Sequence, residues 1–253
     1  MGRLRARCPH CRTLTAVALG PEYECHACGR QYGAGLVRVP RAWGHGGEAM
    51  AAAARLPLLW PEADVVDAES LREQTLSLAS SLPERPLVLG GCCCAHVGAV
   101  EGLAARVERL AVVWLDAHGD LNTPETSPSG NAWGMPLRIL LDSGAVRAED
   151  VALVGARDLD PPEEEFVAAA GITDDVEAAL AGADAVYVAL DADVIDPAEI
   201  ACFMPEPDGL SVAEVEALLR DLPLPLAGAG FSGLALDDRN VEPLTRFAKA
   251  LGL

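Results

Sequence analysis

From about residue 40 onward, short apolar runs alternate with stretches rich in Ala, Leu and Glu. The runs PLVLGG (86–91), RLAVVWLDAHGD (109–120), VALVGARD (151–158), AVYVALDAD (185–193) and PLAGAGFSG (225–233) read as buried strands. Between them, VGAVEGLAARVE (97–108), WGMPLRILLDSG (133–144) and SVAEVEALLRDL (211–222) read as helices. Strand and helix in strict alternation predict a parallel sheet covered on both faces.

Residues 1–37 follow a different pattern. CPHC (8–11) and CHAC (25–28) are two Cys-x-x-Cys pairs separated by 13 residues. Each pair suits a tight turn that points both sulfurs inward. The intervening RTLTAVALGPEYE alternates enough for two short strands around a Gly-Pro turn. Cys8, Cys11, Cys25 and Cys28 therefore predict a zinc-ribbon-like module with one structural zinc. So short a module buries little surface alone, and the metal would supply its folding energy. A closed four-thiolate site leaves no coordination position for chemistry, and His10 and His26 read as bystanders.

The polar residues of the larger region gather where strands end. In an open parallel sheet the carboxyl ends of the strands form the ligand crevice. That crevice would receive Asp116, His118 and Asp120 from DAHGD, Asp191 and Asp193 from DADVIDP, and the cysteines of GGCCC. Residues at i, i+2 and i+4 of an extended segment share a face, so each aspartate group could converge. Four carboxylates in one crevice repel unless cations neutralise them. Two divalent ions about 3.5–4 Å apart would do so.

Composition narrows the functions. With 51% hydrophobic residues but only 4% aromatic, the core must be built mostly from Ala, Val and Leu. The formal net charge of −19 repels a phosphate backbone and argues against nucleic acid as a partner. No apolar run reaches the length of a membrane span, and the basic N-terminus lacks the apolar stretch of a secretory signal. The chain is accordingly read as cytoplasmic. Its eight cysteines then fit metal ligation or burial better than disulfides.

DAHGDLNTPETSPSGNAWGMPL (116–137), GARDLDPPE (155–163), ALDADVIDP (189–197) and PEPDGLS (205–211) resemble the ureohydrolases, the family of arginase, agmatinase and formiminoglutamase. The resemblance covers residues 38–253 and implies a doubly wound, arginase-like α/β fold, a dinuclear manganese centre at the strand ends, and hydrolysis of a guanidinium or formimino group by a metal-bridging hydroxide. It implies that Asp116 and Asp191 bridge the two ions, that Asp120 binds one, and that His118 and Asp193 bind the other. It makes Asp120 and His118 catalytic residues as well as ligands. It also implies that Asn122, Ser129 and Asn131 hold a substrate α-carboxylate and that Asp160, with Glu163 nearby, faces an α-ammonium. A homo-oligomer acting on a small-molecule substrate is implied as well.

Three departures from the family pattern stand out. Where the family has GGDHS, this chain has GGCCC, so Cys93 falls on the position of a metal-binding histidine. A thiolate there is softer and favours zinc or iron over manganese. His96, three residues on, is the alternative ligand. Trp133 stands where a proton-shuttling histidine is expected, and Trp transfers no proton at neutral pH. In the last strand, Ser232 and Ala235, or Ala235 and Asp238, replace the Asp and Glu that grip a guanidinium. Cys202 reads as a packed loop thiol. Two functions fit: a metal-dependent C–N hydrolase with two divalent ions, Mn or Zn, or a non-catalytic relative that binds metal or a small molecule and reports through its zinc module.

Overall fold

The computed structural model describes residues 4–253, so the first three residues of the expected 1–37 module lie outside it. Strands β1 (Arg5–Ala6), β2 (Ala16–Leu19), β3 (Glu22–Cys25) and β4 (Gln31–Tyr32) form an antiparallel sheet in that order. The β2–β3 hairpin turns at Gly20, whose φ of 66° suits a residue without Cβ. The remaining elements are β5 (Gly35–Val39), α1 (Glu48–Ala53), β6 (Glu62–Val65), α2 (Leu71–Ser81), β7 (Pro86–Gly90), α3 (Cys94–Ala104), β8 (Leu110–Leu115), α4 (Pro136–Ser143), β9 (Val151–Val154), α5 (Pro161–Ala170), α6 (Val176–Leu180), β10 (Ala185–Asp191), α7 (Val212–Arg220), β11 (Leu226–Ser232) and α8 (Val241–Ala250).

Strands β5 to β11 make one seven-stranded sheet in the order β6-β5-β7-β11-β10-β8-β9. Every neighbouring pair is parallel. The expected doubly wound architecture is therefore present. All residues of β7 and β8 are buried, as a sheet covered on both faces requires. Alternate residues of β8 enter different layers. Ala111, Val113 and Leu115 pack with α1, α6, α7 and α8. Leu110, Val112 and Trp114 pack with α2, α3, α4 and α5. Each fully buried Leu or Val contributes about 1.5–3 kcal/mol, so aliphatic side chains suffice where aromatics are few.

Helix ends follow local sequence. Pro136 opens α4, and Gly144, at φ 73°, closes it. Capping boxes of Asp160 with Glu163 and Ser211 with Glu214 start α5 and α7. On α3, a Cβ at Gly98 or Gly102 would press into the α2 backbone within 2.8 Å, so these glycines permit a close helix crossing.

Four strands, β1 and β4 of the module and β5 and β6 of the large sheet, and five helices lie outside the elements read from the sequence. β5 begins at Gly35 and runs through the boundary expected between residues 37 and 38. The module meets the sheet at its edge. Arg7 and Glu62 exchange two backbone hydrogen bonds of 2.9 Å, which covers part of edge strand β6. Among the described residues, no helix is long and apolar enough to cross a membrane.

Candidate metal centre

The four central strands β7, β11, β10 and β8 are neighbours and all point their carboxyl ends the same way. At or just beyond those ends lie Cys93, Ser232, Asp191 and Asp116. Cys93 sits at the start of α3. Asp191 and Ser232 are the last residues of their strands. Gly233, at φ 67°, follows, where a Cβ would collide with the Asp191 carboxylate.

Two donor sets share Asp116. Cys93, Asp116 and Asp191 form one, and Asp116, His118 and Asp193 the other, with the donor atoms of each set within 4.8 Å of one another. Cys93 Sγ lies 2.8 Å from Asp191 Oδ2 and 3.7 Å from Asp116 Oδ2. His118 Nδ1 lies 3.1 Å from Asp193 Oδ2 and 3.4 Å from Asp116 Oδ1. Backbone and indole donors fix the carboxylates. Trp114 Nε1 donates to Asp116 Oδ2 at 3.2 Å, Ala117 N to Asp193 Oδ1 at 3.0 Å, and Asp193 N to Asp191 Oδ1 at 3.1 Å.

The convergence does not come from an extended segment, as the i, i+2, i+4 argument expected. β8 ends at Leu115, and Asp120 adopts φ 53°, a left-handed conformation costly for a residue with Cβ. Asp193 lies in a short 3-10 turn after β10. Asp120 is outside both donor sets. It is nevertheless buried, lines the cavity, and its Oδ2 has no hydrogen-bond partner among the described residues. A buried carboxylate oxygen without a partner is costly, and a cation would satisfy it.

Electrostatics carry the same message. Burial, then the charge of Asp193, pushes Asp191 up to about 7. Burial, then Asp116, pushes Asp193 up to about 6. Asp120 and Cys93 are driven well above their ordinary values, first by burial and then by neighbouring aspartates. Burial alone would lower His118, but Asp116 and Asp193 outweigh it and hold the imidazolium up to about 12. Anions crowded this closely keep protons in place of cations.

His96 is not the alternative ligand. It is fully buried, its Nε2 engages Ser232 Oγ at 3.0 Å, and its Nδ1 engages Tyr187 Oη at 2.9 Å. Cys92 and Cys94 pack around Met50.

Above the donors is a cavity of about 240 Å³. Among the described residues, seven acids line it, Asp116, Asp120, Asp158, Asp160, Glu163, Asp191 and Asp193, and no Lys or Arg does. Trp133 and Phe203, edge to face at 6.0 Å between centroids, supply an apolar wall. The residues expected to hold a substrate are dispersed. Ser129 lines the cavity. Asn122 does too, but its Nδ2 donates to Asp160 Oδ2 at 2.8 Å and its Oδ1 accepts from Thr126. Asn131 is not a lining residue; its Oδ1 accepts from His45 N at 2.9 Å and ties two loops together. Asp160 caps α5, and Glu163 accepts from Leu121 N and Asp160 N. Ala235 and Asp238 are absent from the lining, and Cys202 is a half-buried loop residue outside it.

Sequence reasoning missed Arg157, which donates to the backbone carbonyls of Gly155, Asp193, Glu206 and Pro207 at 2.7–3.0 Å and so fixes the loops around Asp193. Nothing in a sequence marks an arginine that binds carbonyls. Trp114 was within reach of sequence reasoning, because it points toward the face of Asp116, two residues on.

In the N-terminal module, Cys8, Cys11, Cys25 and Cys28 place their sulfurs within 4.8 Å of one another. Cys8–Cys28 is 3.8 Å and Cys11–Cys25 is 3.5 Å. A tetrahedron with zinc–sulfur bonds of about 2.3 Å has sulfur–sulfur edges of about 3.8 Å, so the four thiols fit zinc. Hydrogen bonding, chiefly from Thr15, lowers Cys25 to about 6, which favours the thiolate a metal needs.

A seven-stranded parallel sheet with aspartates, a histidine and a cysteine clustered at its strand ends defines an α/β protein with a candidate metal centre. A family model described as "Arginase family" matches residues 56–232. Arginase of Staphylococcus aureus (strain COL) is 35% identical over 164 residues, 54% of each chain. Arginase of Bacillus caldovelox is 38% identical over 143 residues, covering 45% of this chain and 48% of that protein. The chain thus spans about half the length of the curated relatives it matches. Among solved structures, arginase from Bacillus subtilis superposes with a TM-score of 0.73 at 25% identity, covering 86% of this chain and 97% of that one. Formimidoylglutamase from the same species shares the fold, with a TM-score of 0.69 at 16% identity. The chain belongs to the arginase family.

Proposed function

We propose that the protein is a metal-dependent hydrolase that cleaves a C–N bond in a small cationic guanidino or amidino compound. One observation carries this reading: two donor sets sharing Asp116 lie at the floor of a cavity whose walls are acidic and contain no Lys or Arg. Asp116, Asp120, Asp191, Asp193, His118 and Cys93 would hold two divalent cations, manganese or zinc. Such cations supply Lewis acidity and lower the pKa of a shared water toward neutrality.

The chain's own groups do the rest. Asp158, Asp160 and Glu163 attract a positively charged substrate and set its orientation in the cavity. Trp133 and Phe203 exclude water and present aromatic rings to a planar cation. His118 turns Nδ1 toward Asp116 and Asp193, while Asp158 Oδ2 lies 3.7 Å from its Nε2, beyond hydrogen-bond reach. Asp120, whose buried Oδ2 faces the cavity, would complete the donors around one of the cations. The four-cysteine module binds one structural zinc and braces the edge of the sheet.

The test is release of urea, ammonia or formamide from a panel of guanidines and amidines after loading with Mn²⁺, Zn²⁺ or Fe²⁺. Turnover by the loaded protein and its loss in Asp116→Asn are expected. Stoichiometric metal binding without turnover of any panel member would overturn the hydrolase. It would favour a non-catalytic binding protein, the reading that Trp133 and the absence of Ala235 and Asp238 from the cavity support.

A further inference from the structure

The two donor sets are not alike. One offers an imidazole with two carboxylates, the other a thiol with the shared Asp116 and Asp191. Behind that thiol runs a buried chain of hydrogen bonds. Ser232 Oγ lies 3.1 Å from Cys93 Sγ, His96 Nε2 lies 3.0 Å from Ser232 Oγ, and Tyr187 Oη lies 2.9 Å from His96 Nδ1. Cys93 is 4% exposed and the other three are fully buried.

The direction of the chain follows from its far end. The Tyr187 hydroxyl engages His96 Nδ1. If Nδ1 carried the ring proton, the Tyr187 proton would be buried without an acceptor. Tyr187 therefore donates to Nδ1, Nε2 carries the proton, and it donates to Ser232 Oγ. The Ser232 proton is then free to donate, and its nearest remaining acceptor is Cys93 Sγ; Asp191 Oδ2 lies at 3.4 Å and Leu190 O at 3.5 Å. A packing cysteine has no need of such a donor. A metal-bound thiolate does, because an outer hydrogen bond orients its lone pairs and spreads its charge. A second observation points to a bound cation: Asp120 Oδ2, buried and without a partner, in the same cavity.

We propose that Cys93, as a thiolate, joins Asp116 and Asp191 to bind a thiophilic divalent cation such as zinc, iron(II) or cobalt(II) in preference to manganese. Ser232, His96 and Tyr187 act as positioning residues for the sulfur. This rests on the reading of the aspartates as a metal centre. On binding, the Cys93 thiol gives its proton to buffer and its sulfur lone pair to the cation; nothing is oxidised. A soft ligand in one half only makes the centre chemically asymmetric.

The experiment titrates full-length, chelated protein with cobalt(II) and follows sulfur-to-cobalt charge-transfer absorption. The N-terminal cysteines contribute equally to every variant and cancel in difference spectra. Wild type minus Cys93→Ser, each with cobalt in excess of all its sites, should leave a charge-transfer band whose amplitude corresponds to one cobalt ion per chain. Ser232→Ala should shift that band to lower energy and weaken cobalt binding roughly 10–100-fold, effects a purely structural role would not produce in the band energy. In competition, the preference for zinc over manganese should fall at least about tenfold in Cys93→His, which also serves if Cys93→Ser does not fold. A featureless difference spectrum, with Asp116→Asn still abolishing cobalt binding at the centre, would overturn the thiolate ligand and leave the metal centre standing. Cobalt uptake limited to the N-terminal cysteines would overturn both.

Discussion

Removing metal from the centre should invert the usual pH dependence of stability. Without cations, Asp191 and Asp193 titrate at about 7 and about 6, against 3.8 for an unperturbed aspartate. At pH 5 both are mostly protonated in the folded chain and mostly ionised in the unfolded one, so the folded state holds about two more protons. Stability then falls as pH rises, by about 2–3 kcal/mol per pH unit near pH 5, and the loss continues until the folded-state values near 7 are passed. His118 acts in the same direction at higher pH: raised to about 12, its contribution is complete below about 6.5 and is lost as pH climbs toward 12. For a chain of this size the loss near pH 5 corresponds to roughly 4–12 °C in Tm per pH unit. Cations displace these protons and bind more tightly as pH rises, so the loaded protein should gain stability over the same window. The assay is thermal unfolding of chelated and metal-loaded protein between pH 5 and 7, beside the chelated Asp191→Asn/Asp193→Asn variant, whose slope should be clearly shallower, with Asp120 and His118 supplying what remains. A chelated wild type that becomes more stable with rising pH, or a double variant that keeps the wild-type slope, would refute the argument.

Further outcomes can be measured independently. Asp116 belongs to both donor sets, so Asp116→Asn should lower the metal content of the centre below one ion per chain and cut turnover by at least ~100-fold, checked by elemental analysis and steady-state kinetics. Arg157→Ala frees four carbonyls around Asp193 and should weaken metal binding ~10–100-fold; Arg157→Lys should not restore it, because an ammonium lacks the guanidinium fork. The acidic cavity, with the amide of Asn122 already engaged and Asn131 outside the lining, should bind a guanidinoalkylamine at least about tenfold more tightly than the corresponding guanidino amino acid, measured by calorimetry; the reverse order would show a carboxylate site. Cys25→Ala should lose one zinc per chain and expose the β2–β3 hairpin to proteolysis, whereas an unchanged zinc content would remove the module's metal.

The sequence by itself determined the type of fold and named the side chains that are candidates for the centre. Fully apolar strands alternating with amphipathic segments admit little besides a covered parallel sheet, and aspartates at strand ends then fall along one edge of it. The paired cysteines were legible for the same kind of reason, since their spacing is local. Strand order was decided only by tertiary structure: that β7, β11, β10 and β8 lie side by side depends on long-range pairing. β5 and β6 escaped notice because GLVRV and EADV carry charges within short runs, and their neighbours in space, not their own pattern, make them strands. The turn that takes Asp120 into a left-handed conformation, the use of Asn131 as a loop tie, and the path from Tyr187 through His96 and Ser232 to Cys93 join residues up to 139 positions apart. Hydrogen bonds between distant side chains leave no periodic trace along a chain, so only the folded molecule could show which cysteine of the three faces the aspartates and what stands behind it.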